Sequence, residues 1–112
     1  MLSTANKILE KLKSYNILEK AFEKYPSYNL LVTGHSLGAN VACLLSIKLI
    51  NDYPNLRCIA YSPSSGVLSK EAVDFTRKFT LSVVVGDDLI SRLSIRSIHT
   101  LTMDISEVFL LY

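Results

Sequence analysis

Long apolar runs are missing from this 112-residue chain. No stretch approaches the roughly 18 consecutive apolar residues that a membrane-spanning helix requires. The opening Met1–Lys7 has no continuous apolar core, so it does not read as a secretory signal. Cysteine is scarce: Cys43 and Cys58 are the two present, each in an apolar stretch without metal-ligand spacing. They read as buried thiols in a reducing compartment, which points to an intracellular or cytosol-facing location. Charge of one sign is not in excess, with 12 Lys and Arg against 10 Asp and Glu. There is accordingly no basic stripe for nucleic acid and no acidic tail. Internal repeats and low-complexity segments are also absent. What remains is 49% hydrophobic and 20% charged, too apolar for a disordered segment, and long enough for one small domain.

The apolar pattern alternates in kind. Ile8, Leu12, Tyr15, Leu18 and Phe22 recur every three or four residues, which predicts one helix over Ser3–Lys24, capped by Ser3 or Thr4 and closed by Tyr25-Pro26. Asn29–Thr33 is a short apolar run stopped by Gly34, as expected of a buried strand. Ala39–Leu49 is almost wholly apolar or small and predicts a helix packed on both sides. Leu56–Tyr61 reads as a second strand, and Ser62–Gly66 as a loop. Ser69 is the expected N-cap of a helix reaching Lys78. Thr80–Val85, β-branched at four positions, is a third strand stopped by Gly86. A further helix is expected over Ser91–Leu101, and the apolar end Val108–Tyr112 has no evident place. Helix and strand in alternation, with apolar strands, predict an α/β fold with a parallel sheet and helices on both faces. Three strands make a thin sheet with bare edges, as in part of a larger one.

The sharpest chemical signal is Gly34-His35-Ser36-Leu37-Gly38. It fits the nucleophile-elbow pattern G-x-S-x-G and sits between a predicted strand and a predicted helix, as that pattern must. Ser36 is expected on a strained turn that lifts its hydroxyl above the sheet. Side chains at Gly34 and Gly38 are expected to strike the neighbouring strand or helix. The Leu37 backbone N–H, at the start of the helix, is the candidate oxyanion donor. Asp87 and Asp88 follow the third strand at its C-terminal end, where catalytic groups of open parallel sheets collect. An acid two strands from the serine is placed to orient a histidine, although Gly-Asp-Asp is also ordinary turn composition. A general base is not evident. His35 adjoins Ser36 on a tight turn from which neighbouring side chains diverge. His99, eleven residues after Asp88, reads as a surface or packing histidine unless its segment folds back over the strand ends.

On these residues the chain resembles a known family. Leu31–Ala39 (LVTGHSLGA) looks like the core of class 3 lipases. Cys58–Ser69 (CIAYSPSSGVLS) is similar to the AYSPPGGLLS segment of sn-1-specific diacylglycerol lipases, and Val83–Ser94 (VVVGDDLISRLS) to their VVLGKDLVPRLS segment. The three segments are in register and span about residues 3 to 100. Carried over residue by residue, the resemblance implies Ser36 as nucleophile and Asp88 as catalytic aspartate. Asp87 stands where the family often has lysine, and Arg92 matches a basic residue. The family's histidine comes later in the chain, so that role does not pass to His99, and the second oxyanion donor belongs to an upstream loop. Ser64-Ser65 replace Pro-Gly or similar residues, and Asn40 is a further departure.

The resemblance implies a single partial α/β-hydrolase domain over residues 1–112. It also implies a serine lipase acting on acyl esters of glycerolipids, at the sn-1 ester of diacylglycerol, and meeting a membrane surface. Relatives carry N-terminal transmembrane helices that this sequence lacks. No metal or cofactor signature is evident, and calcium is left undecided. Two alternatives stand beside it: a catalytically inert, truncated lipase-like fragment without the triad histidine, and an elbow serving another acyl substrate such as a thioester or peptide.

Overall fold

The computed structural model describes residues 1–110; Leu111 and Tyr112, the last of the unplaced apolar end, lie outside them. The elements run α1 (Leu2–Ser14), α2 (Ile17–Lys24), β1 (Leu31–His35), α3 (Leu37–Leu49), β2 (Arg57–Tyr61), α4 (Lys70–Thr76), β3 (Thr80–Val83), α5 (Leu89–Arg92) and α6 (Ile95–Leu110). The single helix expected over Ser3–Lys24 is two. Asn16 adopts the left-handed conformation at φ 50°, and its carbonyl restarts the hydrogen bonding by accepting from Lys20 N–H at 3.1 Å. Asparagine tolerates that conformation better than most residues, and the apolar spacing passes through the break undisturbed. Neither Ser3 nor Thr4 caps α1; Met1 holds the N-cap position without a side-chain hydrogen bond. Ser69 does cap α4, accepting from Ala72 N–H at 3.3 Å. The helix expected over Ser91–Leu101 divides into α5 and α6, with Leu93 in an extended conformation between them.

The strands form one parallel sheet in the order β1-β2-β3. Leu31 pairs with Arg57 and His35 with Tyr61 at the two ends of β1, and Cys58 pairs with Thr80 on the other side of β2. Residues of even number on β1 and β2 meet α3. Cys58 and Ala60 are buried beneath Ala39, Ala42 and Cys43, with Val32 and Leu68 packed alongside. A second cluster joins Ala5 of α1 and Val41, Leu45 and Leu49 of α3 to Leu56 and Phe79, which lead into β2 and β3. As expected, α3 is buried almost all round.

The helical cover lies on that face. The opposite face carries Leu31, Tyr61 and Leu81, which remain 55%, 44% and 61% exposed. The two-sided cover expected from apolar strands is therefore one-sided among the described residues. Thr33, His35 and Arg57 share the open face, so its lining mixes polar and apolar groups. Side chains of α6 from 96 to 109 are all exposed.

Cys43 and Cys58, which the sequence treats singly, lie in one buried cluster between α3 and β2 as free thiols. The neighbouring Cys58 and burial push the Cys43 thiol far above its ordinary value, so it stays protonated.

The core makes a direct prediction. Leu56 is fully buried at the entry to β2. Leu56→Ala is expected to cost about 2–5 kcal/mol through lost burial and the cavity left behind. Urea unfolding of the purified protein checks this; a loss below about 1 kcal/mol would mean that the site collapses freely around alanine.

Candidate active site

The end of β1 sets the first position. Ser36 has φ 53° and ψ −121°, a conformation rare for a residue with a side chain. Its N–H donates to the Tyr61 carbonyl at 2.9 Å, strapping the turn to β2. Its own carbonyl accepts from Ala39 N–H at 2.9 Å, so α3 starts at once. Leu37 is the first residue of α3, where backbone N–H groups have no partner within the helix.

The two glycines differ. A Cβ at Gly34 would lie 2.2 Å from the Gly38 carbonyl oxygen and 2.8 Å from Ala39 N, both backbone atoms. β1 and α3 approach this closely only because position 34 has no side chain. A Cβ at Gly38 meets nothing within 4 Å, and its φ is not positive. The expected steric need at Gly38 is thus absent among the described residues, because its missing side chain faces open space. Beside the elbow an apolar cavity of about 400 Å³ opens between α1 and α3, lined by Ile8, Val32, Leu37, Val41 and Leu45 among others.

The end of β3 sets the second position. β3 stops at Val83, and Gly86 at φ 53° turns the chain. Asp88 then caps α5, accepting from Ile90 N–H at 2.9 Å and from the Ser91 hydroxyl at 3.1 Å. The influence of the Ser62 hydroxyl, with the bonds from Ile90 and Ser91, lowers Asp88 below the usual carboxylate value against a smaller opposing effect of desolvation. The carboxylate is therefore ionised at neutral pH. Since its pKa is lowered, the stabilisation these bonds provide is present above the ordinary value of 3.8 and fades as pH falls through the lowered one. Asp87 is placed differently. It is fully exposed and pairs with Arg92 at 3.1 Å, a surface contact of small energetic worth. Asp88 thus caps a helix and also stands at the sheet's C-terminal edge.

Between these two ends lies a loop that the sequence marked only by composition. Ser62 leaves β2 at φ 50°, and its N–H donates to the Val83 carbonyl at 2.8 Å. Asn40 of α3 donates to the Ser64 hydroxyl, and Ser65 donates to the Leu93 carbonyl at 2.6 Å. Three serines at the C-terminal end of a predicted strand were the available signal.

Ser36 and Asp88 thus share one edge of the sheet, separated by the end of β2. The histidines do not join them. His35 is exposed on the open face, and His99 is exposed on α6. Neither is hydrogen-bonded to Ser36 or Asp88 among the described residues. No helix among those residues is long and apolar enough to cross a membrane.

Comparison with known proteins follows the same lines. Residues 1–98 match the family described as Lipase (class 3). The chain is 38% identical over 104 residues to human diacylglycerol lipase-alpha, with 88% of this chain and 10% of that protein covered. It is 40% identical over 104 residues to mouse diacylglycerol lipase-beta, covering 93% of this chain and 16% of that protein. The chain therefore spans between a tenth and a sixth of the length of these relatives. A crystal structure of a mutant form of MDLA from Penicillium cyclopium superposes with a TM-score of 0.66 at 26% identity, over 80% of this chain and 34% of that one. The expected α/β-hydrolase arrangement, present in part, is thereby shown. With a family match over most of its length and relatives 38–40% identical across nearly all of it, the chain belongs to the class 3 lipase family.

Proposed function

We propose that the protein containing these residues is a serine lipase that cleaves acyl esters of glycerolipids, at the sn-1 ester of diacylglycerol. Residues 1–112 are part of its single hydrolase domain. The observation that carries this reading is the geometry of Ser36: a non-glycine residue at φ 53° on a strand-to-helix junction closed by Gly34. Strain of that kind is retained where a nucleophile must project from a sheet. The Ser36 oxygen attacks the ester carbonyl while an imidazole takes its proton. The Leu37 N–H stabilises the oxyanion, and the ionised Asp88 orients the imidazole. Monoacylglycerol leaves, and water then releases the fatty acid from Ser36. The apolar cavity beside the elbow fits the chemistry of an acyl chain, and a glycerolipid substrate brings the protein to a membrane surface.

One experiment tests both nucleophile and substrate. One portion of the full-length protein is treated with a fluorophosphonate probe, and a separate, untreated portion is offered diacylglycerol carrying distinguishable acyl chains at sn-1 and sn-2. Label mapped to Ser36 together with release of the sn-1 chain is expected. Label on another residue removes Ser36 from the mechanism, and release of the sn-2 chain alone removes the regiochemistry. A second reading is favoured by the placement of His35 and His99 away from Ser36: residues 1–112 in isolation are inert. A p-nitrophenyl ester turned over by this segment and lost in Ser36→Ala would refute it.

A further inference from the structure

We propose that Asn40, Ser64 and Ser65 are positioning residues that hold the acid's helix in register with the Ser36 elbow. The inference rests on the reading of Ser36 as nucleophile and Asp88 as its acid. Its basis is a continuous path of hydrogen bonds and short stretches of backbone between the two. Asn40 gives its backbone N–H to the Ser36 carbonyl at 3.4 Å and its side-chain amide to the Ser64 hydroxyl. The adjacent Ser65 gives its hydroxyl to the Leu93 carbonyl at 2.6 Å, at the end of α5. Leu93 N–H returns to the Ile90 carbonyl at 3.3 Å, and Ile90 N–H reaches the Asp88 carboxylate at 2.9 Å.

Each end of this brace is fixed for a physical reason. Asn40 is 3% exposed, so its amide is cut off from solvent and Ser64 satisfies one of its donors. A buried amide without a partner is costly, and that cost ties the loop to α3. At the other end, α5 has four residues and few hydrogen bonds of its own. A bond to the carbonyl at its C-terminus, which no residue within the helix satisfies, fixes its direction and with it the Asp88 that caps it. The sequence supports the same role. Asn40 and Ser64-Ser65 depart from the similar lipase segments, and the structure bonds Asn40 to Ser64. A proline fixes its own backbone dihedral through its ring, whereas a serine does not. The bonds to α3 and α5 supply that constraint here. Pro-Gly carries no side-chain donor or acceptor, so the brace belongs to this chain.

The test separates position from folding. Turnover of diacylglycerol by the full-length protein is divided by the fraction of a parallel portion that a fluorophosphonate labels to completion at Ser36. Unfolded chains then do not count. Loss of one neutral hydrogen bond corresponds to about 2- to 10-fold. In Ser65→Ala, kcat is expected to fall by that factor with KM unchanged, and Ser65→Thr, which keeps the hydroxyl, is expected to recover most of the loss. Asn40→Ala and Ser64→Ala are expected to lower kcat similarly. The double variant is expected to fall no further than the worse single one, because the two side chains share one bond. A kcat within twofold of wild type in Ser64→Ala or in Ser65→Ala, with Asp88→Asn strongly impaired, overturns the positioning role alone. So does a loss that Ser65→Thr fails to recover, or full additivity between Asn40→Ala and Ser64→Ala. Equal turnover by wild type and Asp88→Asn overturns the reading of the acid, and the brace's role with it.

Discussion

Ser36→Ala is expected to lower ester turnover of the full-length protein by roughly 10⁴-fold or more while leaving KM nearly unchanged. Removing a nucleophile abolishes the covalent route but leaves the binding surface and the oxyanion donor in place, so the loss falls on kcat. Because nucleophile, base and acid act as a unit, Asp88→Asn added to Ser36→Ala is expected to cost almost nothing further. Ser36→Gly supplies the structural control. It loses activity as alanine does, but it relieves the backbone at φ 53° and is expected to be more stable than Ser36→Ala by about 1 kcal/mol. Steady-state kinetics on the three variants, with thermal unfolding alongside, decides the matter. Turnover within tenfold of wild type in Ser36→Ala would remove Ser36 from the chemistry.

Gly34→Ala is expected to produce the largest loss of stability in the elbow, about 3 kcal/mol or more. A methyl group there meets Gly38 O at 2.2 Å, Gly38 C at 2.4 Å and Ala39 N at 2.8 Å. These are backbone atoms of the first turn of α3, with no rotamer to change, so relief comes only from moving α3 away from β1. That movement opens the packing of Val41 and Ala42 against the sheet and misplaces the Leu37 N–H. Gly38→Ala is the comparison, since its Cβ enters open space. It is expected to lie within about 1 kcal/mol of wild type, with helix propensity favouring alanine. Urea unfolding of both variants measures the difference. Equal stability would show that α3 shifts at negligible cost.

The contrast between the glycines marks how far the sequence could be read. The motif names both, because spacing along the chain is all it encodes. Only the approach of α3 to β1 shows which one is held by contact. Asp87 and Asp88 are adjacent and chemically identical, yet one pairs with Arg92 in solvent while the other caps α5 and accepts the Ser91 hydroxyl. Adjacent residues on a turn point in different directions, and composition carries no direction.

What the sequence alone determined was local. The elbow lies within five residues, the Ser69 cap within four, and the three strands are short apolar runs whose type follows from β-branching and flanking glycine. The helix break at Asn16 escaped because the apolar stripe continues across it, and periodicity does not register one left-handed residue. Tertiary structure decided the rest. The one-sided helical cover, the burial of Cys43 and Cys58 in one cluster, and the serine bridges from Asn40 to Ser64 and from Ser65 to Leu93 bring together residues 15 to 28 positions apart. Such contacts depend on how elements pack, and packing is a property of the assembled sheet and helices that no short window of sequence contains.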